Sequence, residues 1–135
     1  MPDLTALSED ERRDLVQQAI ALSAVRFGGQ GFNCAESVLY GVGVALGLPC
    51  EAVAKIATPF GGGIGRAGSL CGALSGAVMA LGLVTGRTTP DTQQRDTSYA
   101  HARRLWQRFT ERAGAEDCRD LKPQVSSHDE QRAAC

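Results

Sequence analysis

The sequence predicts an all-α protein, a single-domain bundle of about five helices followed by a short C-terminal helix or tail. Apolar residues recur at steps of three or four in each long segment, which is the period of an amphipathic helix. Capping residues precede these segments, and glycine or proline follows them. With 135 residues, 43% of them apolar, the chain can form one core. We therefore expect one domain over residues 1–135, with a loose polar tail from about residue 123.

The first two helices are predicted from the capping residues at their N-termini. Ser8 with Glu11, and Asn33 with Glu36, have the spacing of a capping box. The first helix then begins near Glu9 and ends before Gly28-Gly29, and the second ends at Gly47. Their apolar positions recur at helical spacing: Leu15, Ala19 and Leu22 in the first, and Ala35, Val38, Leu39, Val42 and Leu46 in the second.

A short third helix is expected over Glu51–Ala57, before Pro59. The fourth is predicted from about Ala67 to Thr85, after a glycine loop over residues 60–65. Residues 67–84 carry no charge and approach the minimal length of a membrane span. Because this segment is rich in Gly, Ser and Ala, we expect a buried central helix and no membrane span.

The fifth helix is predicted to open with Thr89 as cap and Pro90 at its first position, and to end at Gly114. Its buried face is predicted from five residues at steps of three or four: Tyr99, Ala102, Trp106, Phe109 and Ala113. Asp117 is expected to cap a short last helix that begins with Cys118.

Charge and composition exclude several classes of function. The net charge is −1, and Lys and Arg do not cluster, so no nucleic-acid partner is expected. The acidic run at Ser8-Glu9-Asp10-Glu11 is unlike a signal peptide, so we expect a cytoplasmic protein. Cysteines in that compartment are more often metal ligands or redox groups than structural disulfides. The chain has five, an odd number, so at least one stays outside any intramolecular pairs.

Two cysteines are predicted at helix starts, where unpaired amide groups and the helix dipole favour a thiolate. Cys34 should be the most acidic thiol, because no capping Asp lies beside it, whereas Asp117 precedes Cys118. The alternative is that both are small buried hydrophobic residues. Cys50 is interpreted as structural, and His101 and His128 are weak candidates for a base or ligand.

Cys71 lies among glycines that recur every four residues, at Gly68, Gly72 and Gly76. Each interior glycine costs a helix roughly 1 kcal/mol relative to alanine. Close approach of another backbone along this glycine ridge is the simplest compensation, and it would hold Cys71 near whatever packs there. The alternative is a tight helix crossing with an inert Cys71.

The glycine loop before the fourth helix resembles the letters of a dinucleotide-binding fingerprint over residues 63–68. We reject that site, because no strand precedes it and no acidic residue follows about 20 positions later. A glycine loop that leads into a helix could instead let Arg66 hold an anion or support a nearby thiolate.

Three segments carry a family resemblance: Asn33-Cys34-Ala35-Glu36, Cys71-Gly72-Ala73-Leu74-Ser75-Gly76, and Asp117-Cys118-Arg119-Asp120-Leu121. With the residues around them, they resemble the C_GCAxxG_C_C family of small bacterial and archaeal proteins, which carries a redox label. The resemblance implies that Cys34, Cys71 and Cys118 are the first three family cysteines, and Cys135 is the candidate for the fourth. A similar domain occurs in split-Soret cytochromes, for which an iron–sulfur centre has been considered. Covalent haem is not implied, since the chain has no Cys-x-x-Cys-His.

The leading hypothesis is a redox-active protein in which Cys34, Cys71 and Cys118, with Cys135, converge on one site. These thiols would exchange with disulfides or relay electrons to a redox partner that the sequence does not identify. Alternatively, the same four cysteines hold a soft metal or an iron–sulfur cluster. A third hypothesis is a structural homodimer, packed along the glycine ridge, with inert thiols.

Overall fold

A computed structural model describes residues 3–48 and 51–121, and within them the fold is all-α, as the sequence predicts. The described part contains six α-helices, and a 3-10 turn over Thr58–Phe60 follows the third of them. The helices are α1 (Glu9–Gly29), α2 (Cys34–Ala45), α3 (Glu51–Ala57), α4 (Gly72–Thr85), α5 (Thr92–Ala113) and α6 (Cys118–Leu121).

Both predicted capping boxes are confirmed. In α1 the Ser8 amide donates to the Glu11 carboxylate at 2.8 Å, and the Glu11 amide donates to the Ser8 hydroxyl at 3.2 Å. In α2 the Asn33 amide donates to Glu36 at 3.1 Å, and the Glu36 amide donates to the Asn33 side chain at 2.9 Å. These reciprocal bonds satisfy amide groups that a helix start leaves unpaired, so they fix where both helices begin.

The predicted start of α4 is wrong, because residues 67–71 belong to the loop. Gly62, Gly63, Gly65 and Gly68 all have positive φ, and so do Ile64 and Arg66. Glycine adopts this left-handed backbone without steric cost, and residues 62–68 therefore form a loop and not a right-handed helix. Several backbone hydrogen bonds close it, among them those from Gly65 to Pro59 at 2.8 Å and from Ser69 to Gly63 at 3.0 Å.

The predicted start and buried face of α5 also need correction. Asp91 caps this helix by accepting from the Gln94 amide at 3.0 Å, so the helix begins after Thr89 and Pro90. Tyr99 and Trp106 are 67% and 43% exposed. Of the predicted face, Ala102 and Phe109 are half-buried, and Ser98 and Leu105 take the places expected for Tyr99 and Trp106.

The helices pack in chain order, with α1 against α2, α2 against α4, and α4 against α5. The core within the described residues is small, and its fully buried hydrophobic members are Ala35, Leu39, Ala57, Leu74, Ala80 and Cys118. The two longest helices, α1 and α5, contain no buried residue. Most of the burial therefore lies where α2 meets α4.

The uncharged segment over residues 67–84 does not form a membrane helix. Its helical part, α4, has 14 residues, several of them buried against the rest of the fold. In residues 3–48 and 51–121, no helix combines the length and apolar character needed to cross a bilayer.

Candidate functional site

Three cysteines of the described chain stand at helix starts. Cys34 is the first residue of α2 and Cys118 the first of α6, as the sequence predicts. Cys71 was expected inside α4, but it is the N-cap of that helix, because the preceding loop is longer than predicted. Cys118 is buried, and the other two are half-buried. Cys50 and Cys135 lie outside the described residues.

The sulfur of Cys34 packs against Gly72, the residue bonded to Cys71. A Cβ added to Gly72 would overlap Cys34 Sγ and would lie 3.0 Å from the carbonyl oxygen of Phe60. One turn later, a Cβ on Gly76 would lie 2.5 Å from the carbonyl oxygen of Ala35. These two glycines therefore let the start of α2 approach the backbone of α4.

The glycine ridge is thus shorter than predicted, and the segment that packs on it is the start of α2. Gly68 does not belong to it, because that residue lies in the loop with φ +73°. The surface over Gly72 and Gly76 is occupied by α2 of the same chain. A homodimer packed along these two glycines is therefore incompatible with this fold.

A short antiparallel bridge joins the segments that carry Cys71 and Cys118. Leu70 pairs with Asp117 at its centre. The Cys71 amide donates to the carbonyl of Glu116 at 2.8 Å, and the Cys118 amide donates to the carbonyl of Ser69 at 2.7 Å. This register makes the two cysteines diagonal neighbours, positions that lie roughly 7–8 Å apart in a regular pair. A disulfide requires Cα atoms within about 7 Å, so this spacing lies at or just beyond that limit.

The glycine loop closes around the start of α6. A Cβ on Gly63 would lie 2.7 Å from the Cβ of Cys118, and φ at Gly63 is +71°. Arg119 fastens the loop from the other side, since its amide and its Nε donate to the Gly68 carbonyl at 3.2 and 2.9 Å. Only glycine at position 63 therefore lets the loop cover Cys118 this closely.

Helix α5 supports the same region through Trp106. The indole Nε1 of Trp106 donates to the carboxylate of Glu116, and the carbonyl of Glu116 accepts from the Cys71 amide. The sequence pattern assigned Trp106 to a buried stripe and gave no sign of this polar contact. The contact positions the bridge segment, because it anchors the residue opposite Cys71.

A carboxylate lies at the start of α2 beside Cys34. Glu36 accepts from the Asn33 amide and from the hydroxyl of Thr58 at 3.2 Å. The side chain of Asn33 also donates to the Thr58 carbonyl, at 3.0 Å. The helix start of Cys34 therefore holds a carboxylate, just as Asp117 precedes Cys118, and the expected contrast between the two thiols is smaller than the sequence suggested.

Arg66 lies on the glycine loop with φ 63° and an exposed side chain. It lines a cleft of about 240 Å³ whose other walls include Asn33, Thr58 and Gly62. Since Asn33 immediately precedes Cys34, the cleft opens beside the start of α2. A role for Arg66 in holding an anion or supporting a thiolate remains a prediction.

The turn between α1 and α2 is held by a cationic side chain that the sequence analysis missed. The guanidinium carbon of Arg26 lies 4.0 Å from the ring centre of Phe32 and 3.8 Å from that of Tyr40. These distances are typical of cation–π contacts. Arg26 therefore fixes the approach to Cys34 from the end of α1.

The predicted metal ligands do not form a cluster within the described chain. No group of three or more His, Cys, Asp or Glu side chains in that part is arranged to hold a metal ion. The fourth predicted ligand, Cys135, lies outside it. His101 is exposed on α5, and His128 falls outside the described residues.

Comparisons with known proteins give two matches. A family model described as "Putative redox-active protein (C_GCAxxG_C_C)" matches residues 32–135. An "Uncharacterized protein" of Archaeoglobus fulgidus is 31% identical over 112 residues, which cover 76% of this chain and 74% of that protein. No solved structure matches the chain.

Proposed function

The chain belongs to the C_GCAxxG_C_C family, described as "Putative redox-active protein", and we propose that it exchanges thiols and disulfides at one cysteine site. Cys34, Cys71 and Cys118 form the described part of that site, and Cys135 is proposed as its fourth member. One observation carries the proposal: Cys34 Sγ packs on Gly72, directly beside Cys71. The bridge that makes Cys118 a diagonal neighbour of Cys71 supports it.

The proposed reaction is a two-electron exchange. A thiolate of the site attacks a disulfide of the partner protein, and one partner sulfur leaves as a thiolate. A second cysteine of the site then attacks the mixed disulfide and releases the other partner sulfur. The site ends with one new disulfide, and the partner ends with two thiols, so electrons and sulfur bonds balance.

Cys34 is proposed as the attacking thiol and Cys71 as the resolving thiol. Cys34 opens the 12-residue helix α2, whose dipole favours a thiolate at this end. Cys71 is half-buried and adjoins the residue that Cys34 touches. Arg66, on the cleft beside Asn33, is proposed to attract the anionic form of the attacking sulfur.

The test is a glutathione redox titration of the full chain with mass-spectrometric identification of disulfides. We expect a reversible disulfide between Cys34 and Cys71 that disappears in both Cys34→Ser and Cys71→Ser. Cys50→Ser is the matched control and should leave it unchanged. If Cys34 and Cys71 stay reduced across the titration, thiol exchange at this pair is excluded.

The same variants separate thiol exchange from a metal centre. Protein purified without oxygen would be analysed for metal content and visible absorption. A stoichiometric metal that is lost in the Cys34→Ser and Cys71→Ser variants would assign these sulfurs to a metal site and overturn the proposal. Thiols that titrate fully in metal-free protein would support it.

A further inference from the structure

The cleft of about 240 Å³ beside the start of α2 is built on two glycines. A Cβ on Gly61 would lie 2.8 Å from the Cγ of Asn33, and a Cβ on Gly62 would lie 2.7 Å from the Cγ of Arg66. Because neither glycine carries a side chain, the carboxamide of Asn33 and the stem of Arg66 both pack directly on the loop backbone. The cleft therefore has a carboxamide on one wall and an arginine on another.

The walls of this cleft contain hydrogen-bond donors that lack acceptors. Gly62 is buried, and its amide donates to no acceptor among residues 3–48 and 51–121. The side-chain nitrogen of Asn33 carries two hydrogens, and within the same residues it donates to the Thr58 carbonyl, at 3.0 Å. Buried amides in folded proteins nearly always have an acceptor, so an amide without one indicates a position where water or a ligand supplies it.

The charge in the cleft favours an anion. Of the described residues in its walls, Arg66 alone is charged, and its side chain forms no ion pair or hydrogen bond with the part of the chain that the structure describes. The carboxylate of Glu36 is directed at two other groups of the walls, since it accepts from the Asn33 amide and the Thr58 hydroxyl. Arg66 also has φ 63°, a backbone conformation that is costly outside glycine and that clusters at functional sites. An anion with oxygen acceptors would satisfy both the guanidinium and the Gly62 amide.

The cleft adjoins the residues that hold the Cys34 sulfur. Asn33, in one wall, is bonded to Cys34, and Gly61, in another, is bonded to Phe60. The sulfur and the Phe60 carbonyl meet at the same point of α4, because a Cβ on Gly72 would overlap the first and lie 3.0 Å from the second. A ligand in the cleft therefore contacts residues that are direct chain neighbours of the thiol proposed to attack disulfides and of the residue that packs beside it.

We propose that this cleft binds the carboxylate of a small disulfide, a further substrate class for the thiol exchange proposed above, on which this inference rests. The cleft is smaller than the roughly 300–1,000 Å³ of sites for drug-sized ligands, so it fits a carboxylate on a short carbon chain. With the carboxylate on Arg66, the Cys34 thiolate attacks one sulfur of the disulfide and displaces the other half as a thiolate. Cys71 then attacks the mixed disulfide and releases the second half. Two small thiols and one protein disulfide result, and each departing thiolate takes up a proton that a protein cysteine gave up.

The first test compares two disulfides, 3,3′-dithiodipropionate, which carries two carboxylates, and the neutral 2-hydroxyethyl disulfide. The measured quantity is the ratio of the rates at which they oxidise the full chain, so any effect of Arg66 on the thiolate itself cancels. Arg66→Gln should lower this ratio about tenfold, as loss of a charge-assisted hydrogen bond does. Arg66→Lys should also lower it, because lysine lacks the planar pair of donors that binds a carboxylate. Arg12→Gln, on an exposed position of α1, is the control and should leave the ratio unchanged.

Two results would overturn the inference and leave thiol exchange intact. One is an equal ratio in the wild type and in Arg66→Gln. The other is an Arg66→Lys variant that keeps the full ratio, because charge alone would then attract the substrate without a carboxylate site in the cleft. A wild type that reduces neither disulfide would instead remove the proposed exchange, and the reaction inferred here with it.

The second test measures binding without chemistry. The probe is 3,3′-thiodipropionate, a thioether that no thiol can cleave, and the neutral 2,2′-thiodiethanol is its control. In an NMR titration of the full chain, the Gly62 amide should shift and saturate with the dicarboxylate, and the Gly82 amide in α4 should stay in place. The neutral thioether should move neither, and Arg66→Gln should abolish the shift at Gly62. A Gly62 amide that the dicarboxylate does not move would exclude this cleft as the carboxylate site, whatever the outcome of the thiol-exchange experiments.

Discussion

The sulfur of Cys34 rests on the backbone of Gly72, at the point where the starts of α2 and α4 meet. A Cβ at position 72 would occupy the space that the sulfur now fills. The same close approach continues at Gly76, where the neighbour is the carbonyl of Ala35. The site and the crossing of α2 with α4 therefore share one surface.

Gly76→Ala is expected to destabilise the fold by roughly 1–3 kcal/mol, as overpacking does. The added methyl group would lie 2.5 Å from the Ala35 carbonyl oxygen, and a backbone atom cannot rotate away. Gly82→Ala in the same helix is the control, since a Cβ there meets nothing within 4 Å. It should stabilise by about 1 kcal/mol through helix propensity. Urea denaturation measures the change in the free energy of unfolding for each variant. If the two changes had the same sign, the close approach of α2 to Gly76 would be contradicted.

Gly72→Ala is expected to raise the rate at which Cys34 is alkylated. Its Cβ overlaps a side-chain sulfur, and that sulfur can rotate away from α4. Cys34, now half-buried, should become more accessible and react faster with iodoacetamide at a fixed pH. The Gly82→Ala variant again serves as reference. An unchanged alkylation rate would mean that Cys34 does not depend on the space at Gly72.

Glu36→Gln is expected to lower the pKa of the Cys34 thiol. The substitution removes a negative charge from the helix start, and a glutamine still completes the capping box. In the wild type, we expect the alkylation midpoint of Cys34 below about 8.5, the value for an unperturbed cysteine. Glu111→Gln on α5 is the control. A wild-type midpoint at or above that value would show that the helix start does not activate the thiol.

Arg26→Met is expected to lower the free energy of unfolding by about 1 kcal/mol. The methionine keeps an apolar stem between Phe32 and Tyr40 but removes the charge that attracts both rings. Arg12→Met, on an exposed position of α1, is the matched control. Thermal unfolding by circular dichroism compares the two, and equal effects would mean that the ring contacts contribute nothing specific.

The capping box of α1 predicts a dependence on acid. The backbone hydrogen bond from Ser8, and then its side-chain bond, lower the pKa of Glu11 from the ordinary 4.5. A carboxyl group with a depressed pKa stabilises the folded state above its unfolded pKa, and that stabilisation is lost as the pH falls through the folded pKa. In Ser8→Ala the carboxyl titration, followed by NMR, should move upward but stay below 4.5, because the amide donor remains. A midpoint that does not move would show that the Ser8 side chain plays no part.

Part of the candidate site could be predicted because it depends on neighbouring residues. Cys34 and Cys118 were placed at helix starts from the capping residues Asn33 and Asp117, and the structure puts both cysteines there. The closeness of Gly72 and Gly76 to another backbone was also predicted, since interior glycines require compensation. What covers them was not predictable, because a small-residue pattern fits any partner helix.

The start of α4 and the buried face of α5 were predicted incorrectly, for reasons that the structure identifies. Residues 67–71 are predicted as helix but belong to the loop, because composition does not distinguish left-handed glycines such as Gly68 from helical ones. The predicted stripe of α5 includes Trp106, yet its indole donates to the Glu116 carboxylate and the side chain remains partly exposed. In both cases the outcome depends on contacts with residues outside the element itself.

The sequence by itself determined the all-α class, the capped starts of α1 and α2, and the cysteines that open α2 and α6. Only the tertiary structure decided that Cys71 caps α4, that it is joined by a bridge to the segment of Cys118, and that Cys34 Sγ lies on Gly72. The physical reason is how far apart in the sequence the contacting residues lie. Capping bonds join residues three apart, so the local sequence is enough to predict them. Contacts between distant segments exist only after the whole chain has packed.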